Sequence, residues 1–169
     1  MRCVEFLDIY TPQHERTGRT IPRNGKVLEG ERLLVVHVCV LNSRNEMLIQ
    51  RRQLTKDRYP GCWDLSAGGF ARSGEASAEA AGRELREELG LDLSPDALCY
   101  LFTEPFSYVL DDFYHVRADL SVSELQLQTS EVLEARWATQ QEILQMIDSG
   151  AFVDYDPACI ARVFRLSTK

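Results

Sequence analysis

Residues 69–91 read GFARSGEASAEAAGRELREELGL, and no other part of the 169-residue chain restricts the fold as strongly. The pattern predicts a helix from about Glu75 to Leu89. Gly90 supplies the left-handed stop that ends a helix and sets its register. On that helix Glu84 stands beside Glu87 and Glu88, because positions three and four apart share a face. Like charges at this spacing cost a helix about 0.2–0.5 kcal/mol per pair. Ala76, Ala80 and Leu85 are free to face a sheet, which leaves Glu87 and Glu88 on an exposed face. An acidic run is ordinarily a solvated helix face. The glycine pair Gly68–Gly69 just upstream argues for more, because it can bring bare backbone against a ligand. Hard divalent cations take several carboxylate oxygens, and Mg²⁺ shares them with substrate phosphates.

The remaining segments predict strands on either side of this helix. VEFLDIY and GRTIP bracket a polar turn and read as a hairpin. RLLVVHVCVL is a buried strand and MLIQRR the next, followed by the basic loop LTKDRYPG. CWDLSAGGF reads as one short strand running into the glycine pair. ALCYLFTEPFSYVL and FYHVRADLS read as two strands around a turn at Asp111–Asp112, with Tyr108 as a buried strand tyrosine. VLEARWA is a last strand, and two short helices fall at QQEILQMI and PACIARVFRL. Strands flanked by helices imply a layered α/β/α domain, and residues 1–169 are the length of one domain.

Composition removes several classes of function. Hydrophobic residues make up 44% and charged residues 27%, which is globular. No apolar run approaches the roughly 20 residues of a membrane span, and MRCVEFLDIY carries acids where a signal peptide would be apolar. The five cysteines, Cys3, Cys39, Cys62, Cys99 and Cys159, never form CxxC. Reduced thiols in a cytoplasm are expected, with neither a zinc site nor a disulfide framework. At net charge −7 the chain shows no basic face for a nucleic-acid polymer. An anionic ligand would need cations to offset the protein's own charge.

The 69–91 stretch resembles the Nudix box, G-x5-E-x7-R-E-U-x-E-E-x-G-U with U aliphatic. Gly69, Glu75, Arg83, Glu84, Leu85, Glu87, Glu88, Gly90 and Leu91 all fit. Seven fixed residues at average background frequencies make a chance match rarer than about one in a million. The resemblance implies the Nudix fold, an α/β/α sandwich with a central mixed β-sheet and a catalytic helix. It implies Mg²⁺-dependent cleavage, with Mn²⁺ as a substitute, of a diphosphate joined to another group. Glu84, Glu87 and Glu88 are then the metal ligands, joined by the Gly68 carbonyl, and Arg83 orients a glutamate. Glu75 takes a structural place near the helix N-terminus. Glu131, ahead of the last strand, is the candidate general base, with Asp112 as an alternative. The partner implied is a small-molecule diphosphate, not a nucleic-acid polymer or a membrane, and the chain would be a monomer or homodimer.

FLDIYTPQHERTGRT, LIQRRQLTKDRYPGCW and TSEVLEARW are similar to isopentenyl diphosphate isomerases and the Nudix hydrolases near them. In that isomerase the corresponding basic residues contact the diphosphate, which implies the same for Arg52 and Lys56. Its catalytic cysteine, however, is replaced by Gly68. Its metal histidines are replaced by Phe70 and Leu33, and its two glutamates by Leu110 and Asp112. Cys62 reads as a packed thiol and His37 as a core or cavity histidine. The expected activity is diphosphate hydrolysis; the alternatives are an isomerase-like enzyme and a non-catalytic ligand-binding domain.

Overall fold

The computed structural model describes residues 4–168, so Cys3 lies outside the described residues. Strands β1 (Phe6–Tyr10) and β2 (Arg16–Pro22) form an antiparallel hairpin of their own. The main sheet takes β3 (Leu33–Leu41), β4 (Met47–Arg52), β5 (Trp63–Asp64) and β6 (Ala67–Phe70). Helix α1 (Ser77–Leu89) follows, then β7 (Cys99–Phe106), β8 (Val109–Arg117), β9 (Val132–Ala138), α2 (Gln140–Asp148) and α3 (Pro157–Leu166). The main path runs β5-β4-β3-β8-β7, with β6 added to β3 and β9 to β4. β3 and β8 are parallel and the other pairs antiparallel, which makes the sheet mixed. Among the described residues no helix is long and apolar enough to cross a membrane.

Helices cover both faces of this sheet. Ala80, Ala81, Leu85 and Leu89 of α1 pack on Leu34, Val36, Val38 and Val40. On the other face Ile143 of α2 and Ile160, Val163 and Phe164 of α3 pack on Cys39, Leu41, Met47 and Ile49. A strand covered on both sides has no solvent face to keep polar, which explains why β3 is apolar at every position but His37. Each such Leu or Val contributes about 1.5–3 kcal/mol by burial.

One departure from regular pairing positions the site. β3 meets β4 only at Leu41↔Met47. Further along, β6 occupies the flank of β3 from Val35↔Phe70 to Val38↔Ala67, while β4 pairs with β5 and β9. The two central strands therefore diverge, and the Gly68–Gly69 pair lines the fork.

Three sequence expectations are corrected. The turn between the long strands falls at Ser107–Tyr108, with Ser107 at φ +55°, and Asp111 and Asp112 lie inside β8. A pair of aspartates is a turn signal, but here both carboxylates find tertiary partners. Tyr108 is consequently 43% exposed at the turn. CWDLSAGGF splits into β5 and β6, separated by Leu65 and by the buried Ser66, whose hydroxyl donates to Leu48 O and accepts from Val40 N. Helix α1 begins two residues later than expected, because Ala76 is extended and Glu79 reaches back to accept from its N–H at 2.8 Å. Ala76 is exposed there rather than packed on the sheet, and Glu75 lies outside the helix.

The helix stop is steric as well as conformational. Gly90 has φ +71°, and a Cβ on it would stand 2.6 Å from Gln126 Cβ. A left-handed non-glycine residue costs about 1–2 kcal/mol before any clash. Gly90→Ala is expected to lower Tm by at least about 4 °C in calorimetry, at 2–4 °C per kcal/mol for a domain of this size. A Tm within 1 °C of the parent would show that the α1 end relaxes freely.

Candidate active site

Arg83 organises the acidic helix. It is 7% exposed, and its guanidinium is shared by four partners. Nε donates to Glu75 Oε1 at 2.6 Å, and Nη2 to Glu75 Oε2 and Phe70 O, each at 3.0 Å. Nη1 donates to Glu84 Oε1 at 2.6 Å and Glu87 Oε2 at 3.2 Å. Burial favours the neutral carboxyl of Glu75, but the Arg83 and Arg72 N–H donors outweigh it and hold the group below its ordinary value. Glu75 therefore acts as the anchor of Arg83 rather than as a partner of the helix dipole.

Glu84 and Glu88 turn inward to the fork. Burial raises the pKa of Glu84, against the opposing charge of Arg83. Glu88 is 8% exposed, which corrects the expectation of an exposed face; only Glu87 stands partly open. Gln50 Nε2 donates to Glu88 Oε2 at 2.5 Å, and the Gly68 N–H points to the same oxygen at 3.4 Å. Burial pushes Glu88 well above the ordinary carboxylate value, and the charges of Glu84 and Asp64 push it further.

The glycine pair now has a steric reason. A Cβ on Gly69 would collide with the Glu84 carboxylate, and one on Gly68 would stand 2.8 Å from Val36 O and 3.2 Å from His37 Nδ1. Bare backbone at both positions lets the carboxylates approach β6.

Beyond the motif lies a polar chain that sequence patterns did not single out. Arg52 Nη1 donates to Asp64 Oδ2 at 2.9 Å, and Tyr155 O–H to Asp64 Oδ1 at 2.8 Å. The same hydroxyl lies 3.3 Å from His37 Nδ1, and His37 Nε2 lies 2.9 Å from Asp111 Oδ1. His37 is therefore a largely buried histidine tied to Asp111 and Tyr155. Tyr155 gives no signal, because it joins from the segment before α3. Gln50, Asp64 and Asp111 were readable only as strand or turn residues.

Other predicted residues are held elsewhere. Arg52 also donates to Arg58 O, and Lys56 pairs with Glu131. Neither Lys56 nor Glu131 contacts the α1 carboxylates. Asp112 is 1% exposed. It accepts from Thr103 and Ser77 at 2.5 Å and stands 3.1 Å from His14, so it ties β1–β2, α1 and β7 together.

Among the described residues no three acidic, histidine or cysteine side chains converge as a ready cation cage. Glu84 is paired with Arg83, and Glu87 with both Arg83 and Arg72. The donor set nevertheless fits a hard divalent cation. It consists of oxygen donors: the charges of Glu84 and Asp64 both act on the buried Glu88 carboxyl, whose hydrogen-bond partners are neutral and both on Oε2.

Comparison with known proteins gives three findings. Residues 31–156 match the NUDIX domain model. An uncharacterized Nudix hydrolase of Listeria monocytogenes is 40% identical over 90% of both chains, and an isopentenyl-diphosphate Delta-isomerase of Escherichia coli is 33% identical over 65% of this chain and 63% of its own. A crystal structure from Deinococcus radiodurans superposes with TM-score 0.79 at 29% identity, covering 94% of this chain and 98% of that one.

The buried Glu88 has a measurable consequence. Its folded pKa is raised, so its contribution to stability is fully present below the unfolded value near 4.5 and is lost as pH rises through the folded pKa. In EDTA at pH 8, Glu88→Gln should therefore melt above the parent by at least about 2 °C, the shift of roughly 1 kcal/mol. The gap should close as pH falls towards 5, and excess Mg²⁺ should reverse the order. A Gln variant less stable than the parent at pH 8 in EDTA would contradict the assignment of Glu88 as an uncompensated buried carboxyl.

Proposed function

The chain belongs to the Nudix hydrolase family, and on that footing we propose that it cleaves a small-molecule diphosphate, such as a nucleoside diphosphate derivative, with Mg²⁺ or Mn²⁺ held by Glu84, Glu87 and Glu88. The observation that carries this reading is the Glu88 carboxyl, buried beside Glu84 and Asp64 with no cation of its own. When bound, the metal neutralises phosphate oxygens and makes a water acidic enough to attack phosphorus. The chain's residues supply the rest. Gln50 and the Gly68 N–H fix the orientation of Glu88. Arg83, pinned to Glu75 and Phe70 O, holds the Glu84 and Glu87 carboxylates with its Nη1. Gly68 offers its backbone to the same site.

Arg52 and Lys56 are the proposed cations for the diphosphate, which requires Arg52 to share its fork with Asp64 and Lys56 to leave Glu131. That exchange would free the Glu131 carboxylate to accept the proton of the attacking water, which supports Glu131 as general base. Lys56 and Glu131 therefore act as one unit in this reading. The free thiols of Cys39, Cys62, Cys99 and Cys159 favour a reducing, cytoplasmic setting.

Two features weigh against isomerase chemistry despite the similarity to the Escherichia coli enzyme. A cysteine at position 68 has no room between Val36 O and His37 Nδ1. Leu110 is buried in the core and Asp112 is spent on Ser77, Thr103 and His14.

Phosphorus-31 NMR on a panel of nucleoside diphosphate derivatives, with isopentenyl diphosphate included, tests the proposal. Mg²⁺-dependent hydrolysis of at least one member is expected, with no dimethylallyl product from isopentenyl diphosphate by proton NMR. Dimethylallyl signals at catalytic rates would restore the isomerase. Glu88→Gln should lower turnover by about 100-fold or more at saturating Mg²⁺, nearly 3 kcal/mol of barrier. Turnover within threefold of the parent would reject its role.

A further inference from the structure

Arg72 sits at the rim of the acidic helix, inside the loop between β6 and α1, and its guanidinium has so far appeared only as a partner of Glu87. Its Nε donates to Glu5 Oε1 at 2.6 Å, and its Nη2 meets Glu87 Oε1 at 3.3 Å. Its Nη1 has no hydrogen-bond partner among the described residues. The contact with Glu87 is long for a charge-assisted pair, which settles near 2.7–2.9 Å. The side chain is 42% exposed, so the guanidinium lies at the surface of the site and not inside it. Arg83 makes the opposite case: buried, and with its Nε and Nη2 filled by Glu75 and Phe70 O, it cannot turn.

The loop that carries Arg72 is held by residues before position 31, where the family match begins. Asp8 accepts from Ser73 Oγ at 2.8 Å and from Gly74 N at 3.0 Å, Ser73 N donates to Phe6 O at 2.8 Å, and Arg16 donates to Glu75 O. Glu5 itself is braced by Arg23 at 2.6 Å. The anchor of Arg72 is thus fixed before any ligand arrives, and a fork fixed at Nε loses little freedom when it binds.

We infer that Arg72, tethered by Glu5, is a diphosphate-binding residue that is released when a cation takes Glu87 from it. This rests on the hydrolase reading above. A divalent cation on Glu87 removes the partner of Nη2 and places substrate phosphate beside the metal. Nη1 and Nη2 then present a planar pair of donors, the geometry that suits a phosphate. Glu5 keeps the guanidinium aimed at the rim instead of letting it follow Glu87.

Titration calorimetry of the metal-free protein separates this role from a merely structural one, with Mg²⁺ alone and then with methylene diphosphonate in saturating Mg²⁺. Arg72→Ala is expected to bind Mg²⁺ as tightly as the parent or a few-fold tighter, because a competitor for Glu87 is gone. Its Mg²⁺-dependent affinity for the diphosphonate should fall about tenfold or more, the scale of one charge-assisted contact. Arg72→Lys should recover only part of that loss, since the fork is missing, and Glu5→Gln should fall between. With a hydrolysable substrate, Arg72→Ala should raise KM more than it lowers kcat. Diphosphonate affinity within twofold of the parent would overturn the inference. So would a parallel loss of Mg²⁺ affinity, which would make Arg72 a support of Glu87 instead. A parent protein that binds no Mg²⁺ would remove the hydrolase reading itself, and this inference with it.

Discussion

The buried guanidinium of Arg83 is the contact on which the rest of the site depends. A charge at this depth is tolerated only when its donors are matched. Glu75 takes two of them, Phe70 O another, and Glu84 and Glu87 share the remainder. That one group joins the β6–α1 loop to α1 and sets where the acidic side chains point. It also limits how far the repulsion among Glu84, Glu87 and Glu88 can distort the helix. Glu88 lies beyond its reach and keeps an unmatched carboxyl at the fork.

The fork in the sheet is the second constraint. Because β6 takes the place of β4 beside Val35 to Val38 of β3, the sheet opens where an unbroken ladder would fill the space. Into that gap come Glu84 and Glu88 from one side, and Asp64, Tyr155 and His37 from the other. The glycines make it possible, since side chains at 68 or 69 would strike Val36 O, His37 or Glu84.

Cationic residues surround this acidic centre, and nearly all are engaged. Arg52 lies on Asp64, Lys56 on Glu131, and Arg72 on Glu5 and Glu87. Each is a surface or rim pair, a class generally worth about 0–1 kcal/mol. Arg52 and Lys56 are each held by one such pair, whereas Arg72 keeps a second carboxylate partner in Glu5 beside Glu87.

The sequence by itself determined the acidic helix, its stop at Gly90, the carboxylates Glu84, Glu87 and Glu88 on it, the layered α/β/α architecture and the family. All of these follow from short spacings, because helix periodicity and strand burial are written locally. It misplaced the β7–β8 turn, since the aspartates that look like turn formers are satisfied by Ser77, Thr103 and His37 from other elements. It also put Glu88 in solvent, because burial there depends on β4 and β6 closing over α1. Only the tertiary structure decided which arginine holds which carboxylate. Arg83 and Glu75 are eight residues apart, but Arg72 and Glu5, Arg52 and Asp64, and Tyr155 and His37 meet only through the fold. No local pattern encodes such pairs: each depends on where distant strands cross, and the packing of both sheet faces sets those crossings.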